Sequence, residues 1–427
     1  MTISLNWSRI VFVVIVIAVL IVLGANVFSG PEKQITRRIE HQYGIDDPQF
    51  VRSMGVLLGP ALVEGNRVDT LLNGEQIFPA MLEAIRGAKK SITFETYIYW
   101  SGDIGRAFAD AITERARAGV KVHVLLDWVG SQKMDGKLVD RMKDAGVEIE
   151  KYHPLRWYTL DRLNNRTHRK LLIVDGRIGF TGGVGIADEW NGHAQDKDHW
   201  RDTHYRAEGP VVAQMQAAFT DNWTKVSGVV LHGDAYFPAE SRAGPHFAQM
   251  FKSAADGGAE STHLMYLLSL AAATKSIDLS MAYFVPDDLA LSTLTAALKR
   301  GVKVRIIMPG PITDASLVRH ASRSTWGAIL QAGAQMYEYQ PTMFHCKVLV
   351  VDALWTSVGS TNFDSRSFRL NDEANLNVLD RTFAQRQVVD FEADLKNSRR
   401  VTFEEWSNRP LSEKAWERFL GWFGSQL

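Results

Sequence analysis

The chain has 427 residues, room for two domains with a core each, and its 46% hydrophobic and 22% charged residues are those of a folded globular protein. Its 48 basic and 48 acidic side chains cancel, which disfavours nucleic acid as a partner, because a protein that lives on a polyanion carries a basic excess. The single cysteine, Cys346, rules out an intrachain disulfide and leaves the redox compartment open.

The first feature in chain order is the wholly apolar run from Ile10 to Leu23, continued by Gly24, Ala25, Val27 and Phe28. That is about the 17–20 residues a helix needs to cross a bilayer. The run is long for a signal peptide and no clear Ala-x-Ala site follows, so residues 1–30 are expected to form an uncleaved single-pass anchor. One Arg before the run (Arg9) against Lys33, Arg37 and Arg38 after it places the body in the cytoplasm, on a cell inner membrane.

Three helix–strand units follow. A helix over 78–90 leads to a strand over Ile92–Tyr99, a helix over 105–119 to the strand "VKVHVLL", and a helix around 133–145 ends at Gly146 before the strand Val147–Tyr152. Next comes "THRKLLIVDG", with His168, Lys170 and Asp175, then the small pair Gly182–Gly183 and a carboxylate, Asp202. The join near 225–245 is rich in Gly, Pro and Ser, and beyond it the series repeats. "TKSIDLSMAYFV" (274–285) answers "KKSITFETYIYW" (89–100), and "FHCKVLVVDA" supplies His345, Lys347 and Asp352. Gly359–Ser360 and Glu373 occupy the places of the glycine pair and of Asp202. The spacing between copies falls from 185 residues (Lys89 to Thr274) to 177 (His168 to His345), so the first copy carries about ten extra residues just before His168. The expected organisation is a lobe over 31–230, a second over 231–398 and a tail over 399–427. Strands alternating with helices predict mostly parallel sheets flanked by helices. In the tail, Trp416, Phe419, Leu420, Phe423 and Leu427 recur at helical spacing with Trp422 alongside; such a helix either lies in a membrane interface or packs on the body.

The twin motifs carry titratable residues at fixed spacing, which duplicated core strands alone do not require. In a strand, residues i and i+2 share a face, so each His and its Lys point together, whereas each Asp has the opposite parity and supports the strand end more than the imidazole. Cys346 faces away and reads as a small core residue. If the halves pack about a pseudo-two-fold axis, one site holds two imidazoles and two ammonium groups, and lysines converging on one spot call for an anion such as a phosphodiester. One neutral His attacks phosphorus, the other gives and takes protons at the alcohol oxygen, and the lysines stabilise the non-bridging oxygens; no metal or cofactor is needed. Which His attacks stays open. The small pairs either admit a phosphate to backbone N–H groups or only make a tight turn. Asp202 and Glu373 are candidates to accept a catalytic Nδ1–H and fix its tautomer. The crowded segment 191–204, with His193, Asp196, Asp198, His199, Asp202 and His204, has no counterpart spacing in the second half, which speaks against a metal site.

The paired His-x-Lys-x4-Asp motifs, the glycine pair and "GSTN" at 359–362 resemble the phospholipase D superfamily over most of residues 60–395, and within it bacterial cardiolipin synthases. The resemblance implies two phospholipase D-like α/β lobes with the site between them, a catalytic set of His168, Lys170, Asp175, His345, Lys347 and Asp352, and a phosphohistidine intermediate formed without metal. It also implies a phospholipid substrate at a bilayer, with a phosphatidyl group passing from one phosphatidylglycerol to the hydroxyl of another. The alternative within the superfamily is a hydrolytic phospholipase D with water as acceptor, or another phosphodiesterase or nuclease, and the sequence does not separate transfer from hydrolysis. Asn362 matches a substrate-binding position of the family, whereas its counterpart in the first half is Gly185.

Overall fold

A computed structural model describes residues 11–14, 16–17, 35–154, 165–239, 241–254 and 261–422. The expected anchor lies largely outside the described residues, as do the extra stretch at 155–164 and the tail residues Phe423 and Leu427. Among the described residues no helix is long and apolar enough to cross a membrane.

The first half contributes strands β1 (Val63–Leu72), β2 (Ser91–Thr96), β3 (Lys121–Asp127), β4 (Glu148–Tyr152), β5 (Leu171–Val174), β6 (Ile178–Gly182) and β7 (Thr203–Glu208). The second contributes β8 (His246–Ser253), β9 (Ser276–Met281), β10 (Phe284–Val285), β11 (Lys303–Pro309), β12 (Gln335–Tyr339), β13 (Lys347–Val351), β14 (Trp355–Gly359), β15 (Phe363–Asp364), β16 (Glu373–Leu379) and β17 (Ser398–Val401). Apart from the small parallel ribbon β10–β15, these form one 15-stranded sheet in the order 17-12-11-9-13-14-16-8-1-7-6-5-2-3-4. Read outward from the antiparallel β1–β8 pair, the two directions give matching series, 7-6-5-2-3-4 and 16-14-13-9-11-12. The pseudo-two-fold axis therefore passes through the middle of a continuous sheet.

The expectation of mostly parallel sheets is corrected. Among the described strands of this sheet, parallel pairing is confined to β2–β3–β4 and β9–β11–β12, the helix-connected strands. The motif strands instead return as hairpins, β5–β6 and β13–β14, and connections that short can join only antiparallel neighbours. Strands β2, β9, β11 and β13 are buried along nearly their whole length, as strands covered by helices must be.

One apolar core fills each lobe, and a third crosses the join. It mixes Leu171, Ile173 and Tyr205 of the first half with Val348, Val350 and Leu376 of the second, under helices Val211–Ser227 and Arg381–Leu395. The latter helix is started by the Asp380 side chain, which accepts from the Phe383 N–H. The segment expected as a separate tail is partly built into the second lobe, because Ser398–Val401 pairs with β12. Helix Leu411–Gly421 then packs on helix Ser316–Gln331, buries Leu420, and ties Glu417 to Arg409 and Arg323. Trp416 and Trp422 stay 48% and 76% exposed, so this helix both packs on the body and shows an aromatic face.

Candidate active site

Each motif histidine sits just ahead of its strand, on a segment pinned by the opposite half. Thr167 bridges Asp372: the His168 N–H donates to the Asp372 carbonyl (2.9 Å) and the Asp372 N–H to the Arg166 carbonyl (2.9 Å). Arg201 bridges Phe344 in the same way, its N–H donating to Met343 O (2.9 Å) while the His345 N–H donates to Arg201 O (2.8 Å). These crossed backbone bonds fix where the two imidazoles stand.

The carboxylates are crossed too. His168 Nδ1 lies 2.9 and 3.0 Å from the Glu373 oxygens, and His345 Nδ1 lies 2.8 Å from Asp202 Oδ2. With Nδ1–H donated, each ring keeps its Nε2 lone pair for chemistry. Glu373 also accepts from Ser360 Oγ–H, and Asp202 from Trp190 Nε1–H (2.9 Å) and the Thr203 N–H (2.8 Å). Lys170 Nζ donates to the His168 carbonyl (2.9 Å) and Lys347 Nζ to the His345 carbonyl (2.8 Å), with both His345 ring nitrogens at 3.2 Å from the latter. Sequence parity placed each His with its Lys, and the structure keeps them together.

His168, Lys170 and His345 line one cavity of about 690 Å³. Burial drives the His168 pKa down to about 4, Glu373 opposing and Lys170 adding to the fall. His345 is lowered as well, by burial and then by Lys347. Lys170 is lowered to about 7, again by burial first, with Lys347 contributing. Burial opposes ionisation of Asp202 and Glu373, but the neighbouring histidines and lysines outweigh it and hold both carboxyls below their usual range. The result is a buried, cation-rich cavity in which neutral imidazoles are favoured until an anion enters.

Several expected site residues are placed elsewhere. Asp175 and Asp352 stand at the far ends of their strands. Asp175 accepts the N–H groups of Lys89, Lys90 and Ser91, and Asp352 those of Thr274, Lys275 and Ser276. Their assignment as catalytic is corrected: opposite parity turns them from the imidazoles, and they clamp the start of the neighbouring strand. Gly182, Gly183, Gly359 and Ser360 are also not in the cavity wall. A Cβ on Gly183 would come within 2.2 Å of Asp202 Oδ1, so this glycine exists to admit the carboxylate, as Ser360 exists to bond Glu373; the reading as phosphate contacts gives way to that. Asn362 does line the cavity. Its counterpart Gly185 is pressed by Ile98 and Trp190, a Cβ there meeting Ile98 at 2.9 Å. Among the described residues no group of three His, Cys, Asp or Glu side chains could hold a metal, and of the crowded segment His199 pairs at the surface with Asp196 (2.7 Å). Cys346 is buried and its thiol pushed up by that burial.

Sequence reasoning missed the aromatic wall. Tyr97 stands edge-on to His168 (5.4 Å), while Trp190 (5.3 Å), Trp200 (5.5 Å) and Tyr283 (6.4 Å) surround His345. Trp190 immediately precedes, and Trp200 lies within, the segment 191–204 that stood out only for its His and Asp residues. Arg166 and Arg366 add positive charge to the wall, and neither is repeated in the other half.

Two phospholipase D-like lobes sharing one two-histidine cavity define the class. The sequence profile described as "Cardiolipin synthase, PLD-like domain" matches residues 81–223 and 266–395, and the chain belongs to that family. It is 36% identical over 348 residues to cardiolipin synthase 2 of Bacillus anthracis, covering 81% of this chain and 68% of the relative. To the major cardiolipin synthase ClsA of Bacillus subtilis it is 36% identical over 351 residues, 82% of this chain and 73% of the relative. The fold is shared with the crystal structure of a phosphatidylserine synthase from Haemophilus influenzae, with a TM-score of 0.69 at 13% identity over 88% of this chain and 100% of that one. Family membership makes the chain a phosphatidyltransferase of cardiolipin synthase type.

Proposed function

We propose that the chain moves a phosphatidyl group from one phosphatidylglycerol to the free hydroxyl of another, releasing glycerol, by way of a phosphohistidine and without metal. The crossed His–carboxylate pairs on one cavity carry this reading, because displacement at phosphorus needs a nucleophile and a separate proton donor. His168 is assigned the attack through Nε2, because burial keeps its imidazole neutral while Glu373 takes the Nδ1–H. The P–O bond to glycerol breaks as the P–N bond forms, and the alkoxide takes its proton from His345. In the second half-reaction the acceptor hydroxyl gives its proton back to His345, its oxygen bonds to phosphorus, and the P–N bond breaks to restore His168. Lys170 and Lys347 supply the positive charge that the trigonal-bipyramidal state requires.

Membrane attachment is part of the proposal: residues 1–30 anchor the chain in the inner membrane with the body in the cytoplasm. Support comes from the apolar run and its flanking charges, and from the aromatic face of helix Leu411–Gly421. The lobes are taken as 31–230 and 231–398.

The test is incubation of detergent-solubilised full-length protein with phosphatidylglycerol and EDTA, followed by lipid analysis. Cardiolipin and glycerol in equal amounts are expected. Phosphatidic acid alone would mean that water is the acceptor, and activity recovered only on adding metal would overturn the two-histidine chemistry.

A further inference from the structure

The cavity carries a carboxylate that the proposed chemistry leaves unused. Asp314 lies in the loop between β11 and helix Ser316–Gln331, exposed at the cavity wall. Tyr283 donates its hydroxyl to Asp314 Oδ2 (2.7 Å). Burial and then Asp314 raise the Tyr283 pKa, so the phenol remains a donor. Asp314 Oδ1 accepts no hydrogen bond among the described residues. The position is local to His345: Tyr283 meets that ring edge-on, and the Asp314 charge acts on both His345 and Lys347. In the first lobe the counterpart of Tyr283 is Ile98, so the pair is not repeated.

A carboxylate in a cavity built for a phosphodiester is unfavourable if it meets the phosphate. Both groups offer only acceptors, and they repel. It becomes favourable opposite a group with O–H donors. On the same side of the cavity, Trp190 and Trp200 present apolar rings beside His345 that displace water and fit the CH2 groups of a polyol.

We propose that Asp314, fixed by Tyr283, is the alcohol-recognition residue: its Oδ1 accepts a hydrogen bond from one hydroxyl of a glycerol headgroup and holds the neighbouring hydroxyl against His345. This rests on the phosphatidyl-transfer reading and adds to it a device that selects a vicinal diol over water or a simple alcohol. The step balances as before: the held hydroxyl bonds to phosphorus, its proton goes to His345, and the P–N electron pair returns to His168. Tyr283 is a positioning residue.

The experiment reads how the common intermediate partitions. Full-length protein in mixed micelles is given phosphatidylglycerol with equal concentrations of labelled glycerol and 1-propanol, and the lipid products are quantified. The wild type is expected to favour glycerol by about tenfold or more, since a site built to bond a hydroxyl rejects the analogue lacking it. Asp314→Ala is expected to bring the ratio near one and to raise the proportion of phosphatidic acid; Asp314→Asn, which keeps an acceptor oxygen, retains part of the preference, and Tyr283→Phe lowers it. A general loss of structure would reduce both products together and leave their ratio unchanged. A wild type that transfers to both alcohols equally, or an unchanged ratio in Asp314→Ala, overturns this assignment alone. A wild type that yields only phosphatidic acid overturns the transfer reading and this assignment with it.

Discussion

Glu373→Gln tests the crossed arrangement most directly. The substitution keeps an oxygen that can accept His168 Nδ1–H, and changes little in volume, but removes the charge that lies 2.9 Å from the ring. When His168 becomes positively charged on attacking phosphorus, the lost partner is a carboxylate whose charge centre is about 4 Å away. At an effective dielectric of about 20 such a pair is worth about 4 kcal/mol. If that stabilisation is realised only as the ring acquires charge, the rate falls by about 10³, at about 1.4 kcal/mol per tenfold. The assay is the initial rate of cardiolipin formation and glycerol release by the full-length protein, with the melting temperature followed in parallel. The fold is expected to persist, because Ser360 and the backbone around Asp372 still hold the strand. A variant that keeps its melting temperature and works within about threefold of the wild type would refute the argument that a carboxylate from the far half supports His168.

Other outcomes follow from the same geometry. Asp175→Ala strips the acceptor from three backbone N–H groups and leaves an alanine at φ 54°, so a stability loss of about 3 kcal/mol is expected by denaturant titration, with activity per folded molecule at low temperature nearly unchanged. Gly183→Ala forces a methyl against Asp202 Oδ1, and at least about a tenfold fall in turnover is expected without gross unfolding. Stability should fall as pH drops from about 6.5 toward 4. The folded His168 pKa of about 4 lies below the ordinary imidazole value of about 6.5, so the unfolded chain binds more protons in that window and the contribution present above about 6.5 is lost on acidification. His168→Asn should flatten that part of a melting-temperature profile. Inorganic phosphate should raise the melting temperature, since an anion between Lys170 and Lys347 relieves their repulsion, and at a hundred times its dissociation constant the gain is about 2.7 kcal/mol.

What could be read from sequence was whatever the repeat and the strand period carried. The duplicated motif showed two equivalent histidine–lysine pairs, and strand alternation read through each whole motif put each pair on one face and turned Asp175 and Asp352 away. Hidden were relations between distant segments. The β1–β8 join that makes the lobes one sheet is a pairing of residues some 180 positions apart, with no local signal. Asp202 and Glu373 could be chosen as carboxylates near a His, but which imidazole each would reach depends on how the halves face one another. The glycine pairs misled because a small residue signals close approach without saying of what: here it is the Asp202 side chain. The tryptophans beside His345 were passed over because an isolated aromatic is more often core.

The palindromic sheet has one more consequence. A dimer of two separate, identical subunits would have to present every wall residue twice, so any change suited to one side of the cavity would be imposed on the other. Fusing both copies into one polypeptide lifts that restriction. Gly185 stands opposite Asn362 in the repeat, Glu189 opposite Arg366, and Ile98 opposite Tyr283. The machinery at the centre keeps its symmetry while the surroundings have specialised, and that is how a two-fold object can tell its donor from its acceptor.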